Sequence, residues 1–73
     1  MGRLTIVEVT LWEVVSTPVA VCGAVSPEAG AREVWIPLSL VTRLARRGRP
    51  GAPRPELAVH LPEWKARELG LEY

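Results

Sequence analysis

The side chains in this 73-residue chain that could make bonds or hold a metal are few: one cysteine, one histidine, eight acids and a handful of hydroxyls. A zinc-type site needs three or four ligands in fixed geometry. Cys22 and His60 alone do not reach that count within one chain, so no metal and no cofactor is expected. Nucleophilic catalysis needs a base and usually an acid to orient it. His60 is the only imidazole, every acid is Glu, and Cys22 and the serines sit in no nucleophile-loop pattern. A Cys22–His60 dyad would require both residues on one sheet face. The segment Gly48–Pro55, reading GRPGAPRP, places prolines where a phosphate-cradling loop needs backbone N–H donors. The expectation is a protein without catalytic activity.

Arginine offers a different chemistry. No acid lies between Val34 and Pro55, whereas Arg43, Arg46, Arg47, Arg49 and Arg54 all do. The net charge of +1 hides this segregation, because the remainder is acidic on balance. Such an asymmetry points to nucleic acid or an acidic protein as partner, with those five arginines as candidate contacts. Each phosphate neutralised on duplex DNA would steepen the log–log salt dependence by about 0.9. Aromatics interleaved with the basic residues, which a single-strand platform would use, are missing from the segment. The plain alternative is a solvated face in an arginine-rich composition.

Arg outnumbers Lys eight to one, and Asn and Gln are absent. Both features occur in heat-adapted proteins, so a thermophilic source is expected, with melting above about 60 °C. A lone cysteine allows no intramolecular disulfide. The longest uncharged stretch, Val14–Pro27, is short and broken by Pro18 and Gly23, so no membrane span is expected. With no basic-then-apolar leader at its start, the chain reads as cytoplasmic.

These residues must be positioned by a small body rich in valine, with Trp12, Trp35 and Trp64 and no Phe. That composition fits a pleated surface. A single α+β domain over residues 1–73 is expected, mostly β. It is an antiparallel sheet of three to five strands, open or curled toward a small barrel, with a short central helix and a C-terminal helix. Residues 3–15 read as extended, one bent strand or two. Ser16-Thr17-Pro18 marks a boundary. Val19–Val25 is a second strand, in which Gly23 suggests close approach by a large side chain, a tryptophan being the candidate. Ser26–Gly30 is a hairpin loop leading to a return strand over 32–36. Pro37 ends that strand, and Ser39 would cap a two-turn helix carrying Leu40, Val41, Leu44 and Ala45 on one face and the arginines on the other. Gly48 would stop it. Residues 48–55 form a flexible Gly/Pro/Arg loop. Glu56–Leu61 is the last strand. Pro62 and Glu63 open a helix closed by Gly70, with Glu63 and Arg67 paired and Trp64 and Leu71 clamping it to the sheet.

Trp35 faces opposite to Val34 and Ile36 on its strand, so a one-sided sheet would expose it as a protein-binding anchor. In so small a domain the favoured expectation is that the C-terminal helix covers it with Trp64. A sheet of this size also has edges to hide, which makes a strand-paired homodimer the competing expectation to nucleic-acid binding.

Two segments, Glu33-Val34-Trp35-Ile36-Pro37-Leu38-Ser39 and Leu61-Pro62-Glu63-Trp64-Lys65-Ala66-Arg67-Glu68-Leu69-Gly70-Leu71, resemble a scattered group of small bacterial and phage proteins of unknown function. Those proteins combine a β-hairpin, a W-I-P-x-S segment and a closing P-E-W-x-A-x-x-x-G-L helix. The likeness covers roughly Val19–Leu71. Leu38 stands where a basic or polar residue is usual, and the connecting segment is longer and more basic. The resemblance implies an architecture and no reaction.

Overall fold

The computed structural model describes residues 5–48, 51 and 54–73. It contains five strands, a 3₁₀ turn and one helix: β1 (Ile6–Ser16), β2 (Ala20–Ala24), β3 (Glu33–Pro37), the turn at Leu38–Leu40, β4 (Arg43–Arg47), β5 (Glu56–Pro62) and α1 (Glu63–Glu68). The strands form one antiparallel sheet in the order β3-β2-β1-β5-β4. This is the small α+β architecture that the composition implies.

Strand β1 is the spine. Its first half pairs with β5, from Ile6 opposite Pro62 to Trp12 opposite Glu56. Its second half pairs with β2, from Trp12 opposite Ala24 to Ser16 opposite Val21. The register slips between Glu13 and Val15. A bulge of this kind adds one unpaired residue and bends the strand, which lets one strand serve two partners that diverge. Residues 3–15 are thus one bent strand where described.

The sheet is rolled. Its two edge strands, β3 and β4, are consecutive in the chain and joined only through residues 38–42. Four strand spacings across a flat sheet come to about 19 Å. Three of the linking residues are coiled at about 2 Å rise each, which leaves too little reach. Rolling gathers the inward side chains of four strands into one core: Val9 and Leu11, Val21, Val34 and Ile36, then Leu57, Val59 and Leu61. Gly23 lies on this inner face because a Cβ there would stand 2.8 Å from the Cβ of Leu11. The close neighbour is therefore leucine, not the tryptophan expected.

Helix α1 closes one end of the roll. Its first N–H, that of Glu63, donates to the carbonyl of Thr5 at 2.8 Å. Ala66 and Leu71 enter the core. Gly70 takes φ +70°, and the Leu71 N–H donates back to the Ala66 carbonyl at 2.9 Å, a left-handed stop of the expected kind. Arg32 reaches the same helix end, donating to the carbonyls of Leu69 and Gly70 at 2.9 and 3.2 Å. The expected Glu63–Arg67 pair is present at 3.6 Å, with the Tyr73 hydroxyl bound between the two side chains. Trp64 does not clamp the helix: it is exposed, and Ala66 with Leu71 does the packing.

The largest departure from the sequence reading is at the centre. The two-turn helix expected from Ser39 onward is only the 3₁₀ turn at Leu38–Leu40, and Ser39 makes no capping bond. Arg43–Arg47 is instead strand β4, paired from Arg43 opposite His60 to Arg47 opposite Glu56. Leu44 and Ala45 satisfied a helical spacing over so few residues that tertiary pairing with β5 overrode it. Half of the flexible loop expected over 48–55, residues 49, 50, 52 and 53, lies outside those described.

Candidate functional site

The arginines do not act as one group. Strand pleating separates them, because neighbouring side chains point to opposite faces. Arg46 turns to the side of Leu57, where Glu13 receives it bidentately: Nε donates to Oε1 at 2.6 Å and Nη2 to Oε2 at 2.8 Å. The Ser16 hydroxyl also donates to this carboxylate, at 2.7 Å. The Arg46 hydrogen bond, helped by Ser16, holds the Glu13 carboxyl below its ordinary pKa. Arg46 is therefore occupied by the chain's own acid.

Arg43 and Arg47 point the other way, to the outer face. There they enter cross-strand rows: Arg43 beside His60 beside Glu8, and Arg47 beside Glu56 beside Trp12. His60 Nε2 lies 2.9 Å from Glu8 Oε2. Neither Arg43 nor Arg47 has a hydrogen bond or ion pair to another described residue. Arg54 is half-buried just ahead of β5, close enough to Cys22 for its charge to oppose weakly the rise in the thiol's pKa. Arg49 lies outside the described residues. The acid-free stretch in the sequence is thus not an acid-free surface, since register sets Glu8, Glu13 and Glu56 alongside it.

Cys22 and His60 are not brought together. Along β1, Glu8 marks the row of His60 and Val15 that of Cys22, seven residues and about 20 Å apart. Cys22 is buried under its neighbours, with Sγ 3.9 Å from Glu33 Oε1. Burial first, and then the Glu33 carboxylate, push its thiol pKa up. That is the opposite of an activated nucleophile. Among the described residues no three His, Cys, Asp or Glu side chains gather as a metal site would require. No helix among the described residues is long and apolar enough to cross a membrane.

The unabsorbed feature is Trp35. It is 51% exposed, so the C-terminal helix does not cover it, and the expectation of a buried indole is overturned. The reason is that α1 closes the end of the roll and leaves the outer face of β3 open. Opposite Trp35 on β2 sits the buried Cys22, and of the small residues flanking it Ala20 lines the space beside the indole. Trp35 also lines a concavity of about 690 Å³ with Pro18, Val19, Pro37, Leu38 and Lys65. The β1–β2 turn that contributes Pro18 and Val19 is pinned by Thr17, whose Oγ1 accepts from the Ala20 N–H at 3.0 Å and donates to the Ala20 carbonyl at 3.1 Å. This pinning holds Val19 out, 74% exposed. Lys65 lies with its ammonium 5.9 Å from the ring centroid of Trp64, a second exposed indole that does not itself line the concavity. The sequence signal for this site was the outward parity of Trp35. Its neighbours Val19 and Lys65 come from distant segments and carried no signal.

What fold and site define together is a small rolled sheet with an exposed tryptophan surface. No protein-family model matches the chain, and neither a curated protein nor a solved structure does so.

Proposed function

We propose that this chain is a non-enzymatic protein-binding module whose docking surface is centred on Trp35. One observation carries this reading: Trp35 and Val19 stand at least half exposed and line a single concavity. A domain of this size gains most by burying every large side chain it has. Tryptophan held out on a rigid strand, with prolines on both sides of it, is the composition of an interface anchor. The partner supplies an apolar side chain that seats between the Trp35 ring and the Pro18–Val19 turn. Photocrosslinking from position 19 in the native host tests this. A discrete protein adduct that disappears in Trp35→Asp is expected; adducts that persist unchanged in that variant would end the reading. Light scattering identifies the special case in which the partner is a second copy of the chain.

Nucleic acid is the second reading, supported by the guanidinium groups of Arg43 and Arg47 on the outer face of β4, which have no partner among the described residues. They stand about 13 Å apart along the strand. Two phosphate contacts give a shallow salt slope and weak, sequence-independent binding. A mobility-shift assay at low salt with random DNA and RNA checks it, and loss of any shift in Arg43→Gln/Arg47→Gln is the outcome this reading requires.

A further inference from the structure

We propose that the free edge of β1 over residues 6–10 is a strand-addition site, and that it takes an extended, lysine- or arginine-bearing segment of a partner protein. The inference does not rest on the Trp35 surface, with which this edge shares no lining residue.

β1 has a neighbour on its β5 side along Ile6–Trp12, but β2 accompanies it only from Trp12 to Ser16. The Glu13 N–H donates to the Pro55 carbonyl on the β5 side at 2.9 Å. Antiparallel pairing alternates, so Leu11, Val9 and Val7 also turn their backbone groups to β5. Ile6, Glu8 and Thr10 turn theirs to the side that β2 has left. Among the described residues no backbone group answers them there. Beyond Trp12 the β2–β3 hairpin peels away, its ladder continuing through the Val25 N–H to the Arg32 carbonyl at 2.9 Å. The vacated lane is a groove of about 640 Å³ floored by Val9, Leu11, Val25 and Leu71.

A strand in this lane runs in line with β2, antiparallel to β1. Its residues opposite Thr10, Glu8 and Ile6 exchange hydrogen bonds with them, and the residues between point to the apolar floor. The residue opposite Glu8 lies on the same face, about 5.5 Å away between α-carbons. A cation there meets the Glu8 carboxylate, and Glu72 on the groove wall adds a second negative charge. Arg32, the one cation in the groove wall, is already committed to the carbonyls of Leu69 and Gly70. Self-pairing of β1 about its middle would set Glu8 against Glu8, like charges directly opposite, which disfavours a second copy.

The probe is the peptide acetyl-Ser-Thr-Val-Lys-Val-Thr-Lys-amide, read by amide hydrogen exchange on the whole chain. At about 1 mM peptide, a concentration that reports even weak sites, the Glu8 and Thr10 amides become protected. The Val9 and Leu11 amides, already bonded to β5, stay unchanged and report that the fold is intact. Methylating the amide nitrogen of the first lysine weakens the effect by about tenfold, the worth of one lost hydrogen bond at the upper end of its range. Replacing that lysine by Glu abolishes protection, and Glu8→Lys restores it for the Glu peptide. Equal protection by the parent and the N-methylated peptide, or none by either, overturns the proposal. Protection of the same amides by raising the concentration of the protein alone also overturns it, in favour of a second copy.

Discussion

The two edge strands of this sheet are guarded in opposite ways. β4 carries arginine on both faces: Arg46 is clamped by Glu13 of β1, while Arg43 and Arg47 stand on the outer face with no partner among the described residues. A charged edge of that kind resists pairing with another chain. β3 is short and ends in Pro37, which also blunts backbone pairing, but its outer face presents Trp35 to solvent. The difference teaches that a conspicuous run of charge can be spent in part inside the molecule, as at Arg46, while a single outward-facing aromatic is left unspent.

Substitutions across the β3 strand test that contrast most directly. Ile36, fully buried beside Trp35 in sequence but on the inner face, should cost about 3 kcal/mol as Ile36→Ala, measured by urea denaturation. Gly23→Ala comes next, at about 2 kcal/mol by the same measurement, because the new Cβ meets the Leu11 Cβ at 2.8 Å. That atom is fixed by the backbone, so no rotamer change relieves the contact. A neutral Gly23→Ala would mean that β1 and β2 are not pressed together at the bulge.

On the β4 side the Glu13–Arg46 pair gives a smaller, pH-dependent effect. The folded pKa of Glu13 is lowered, so its contribution is fully present above the unfolded carboxyl value of about 4.3. It is lost as pH falls through the lower folded value. Glu13→Gln should flatten the acid limb of the stability–pH curve in that window and leave the curve's shape near neutrality unchanged. The smallest effects are expected at the exposed positions. Trp35→Ser should change stability by less than about 1 kcal/mol, and Arg43→Gln/Arg47→Gln by less than about 0.5 kcal/mol, both by thermal melting. A large loss on Trp35→Ser would mark the indole as part of the packing and break the comparison.

Much of the fold could be read from local chemistry. Gly30 takes φ +81° in the hairpin loop that Ser26–Gly30 announced, and Gly70 takes φ +70° at the helix stop. Alternation placed Val34 and Ile36 inside and Trp35 outside. The segment Arg43–Arg47 could not be read in the same way. Five residues with apolar side chains at its centre fit a helix turn and a strand equally, and only pairing with Glu56–His60 selects the strand. The candidate site was half legible for the same reason. Trp35 was identified by parity, whereas the turn at Pro18–Val19 and the Lys65 side chain reach it only through the roll of the sheet.

Sequence by itself determined what is local here: the β-rich core, the turns forced by Pro and Gly, the helix signals from Pro62 to Gly70, and the outward face of Trp35. The tertiary structure alone decided which charges meet. Cross-strand register couples residues far apart in the chain, so Glu13 reaches Arg46 and Glu8 reaches His60. No one-dimensional window contains both members of such a pair, and an acid-free run of sequence therefore becomes a surface of mixed charge once the strands are laid side by side.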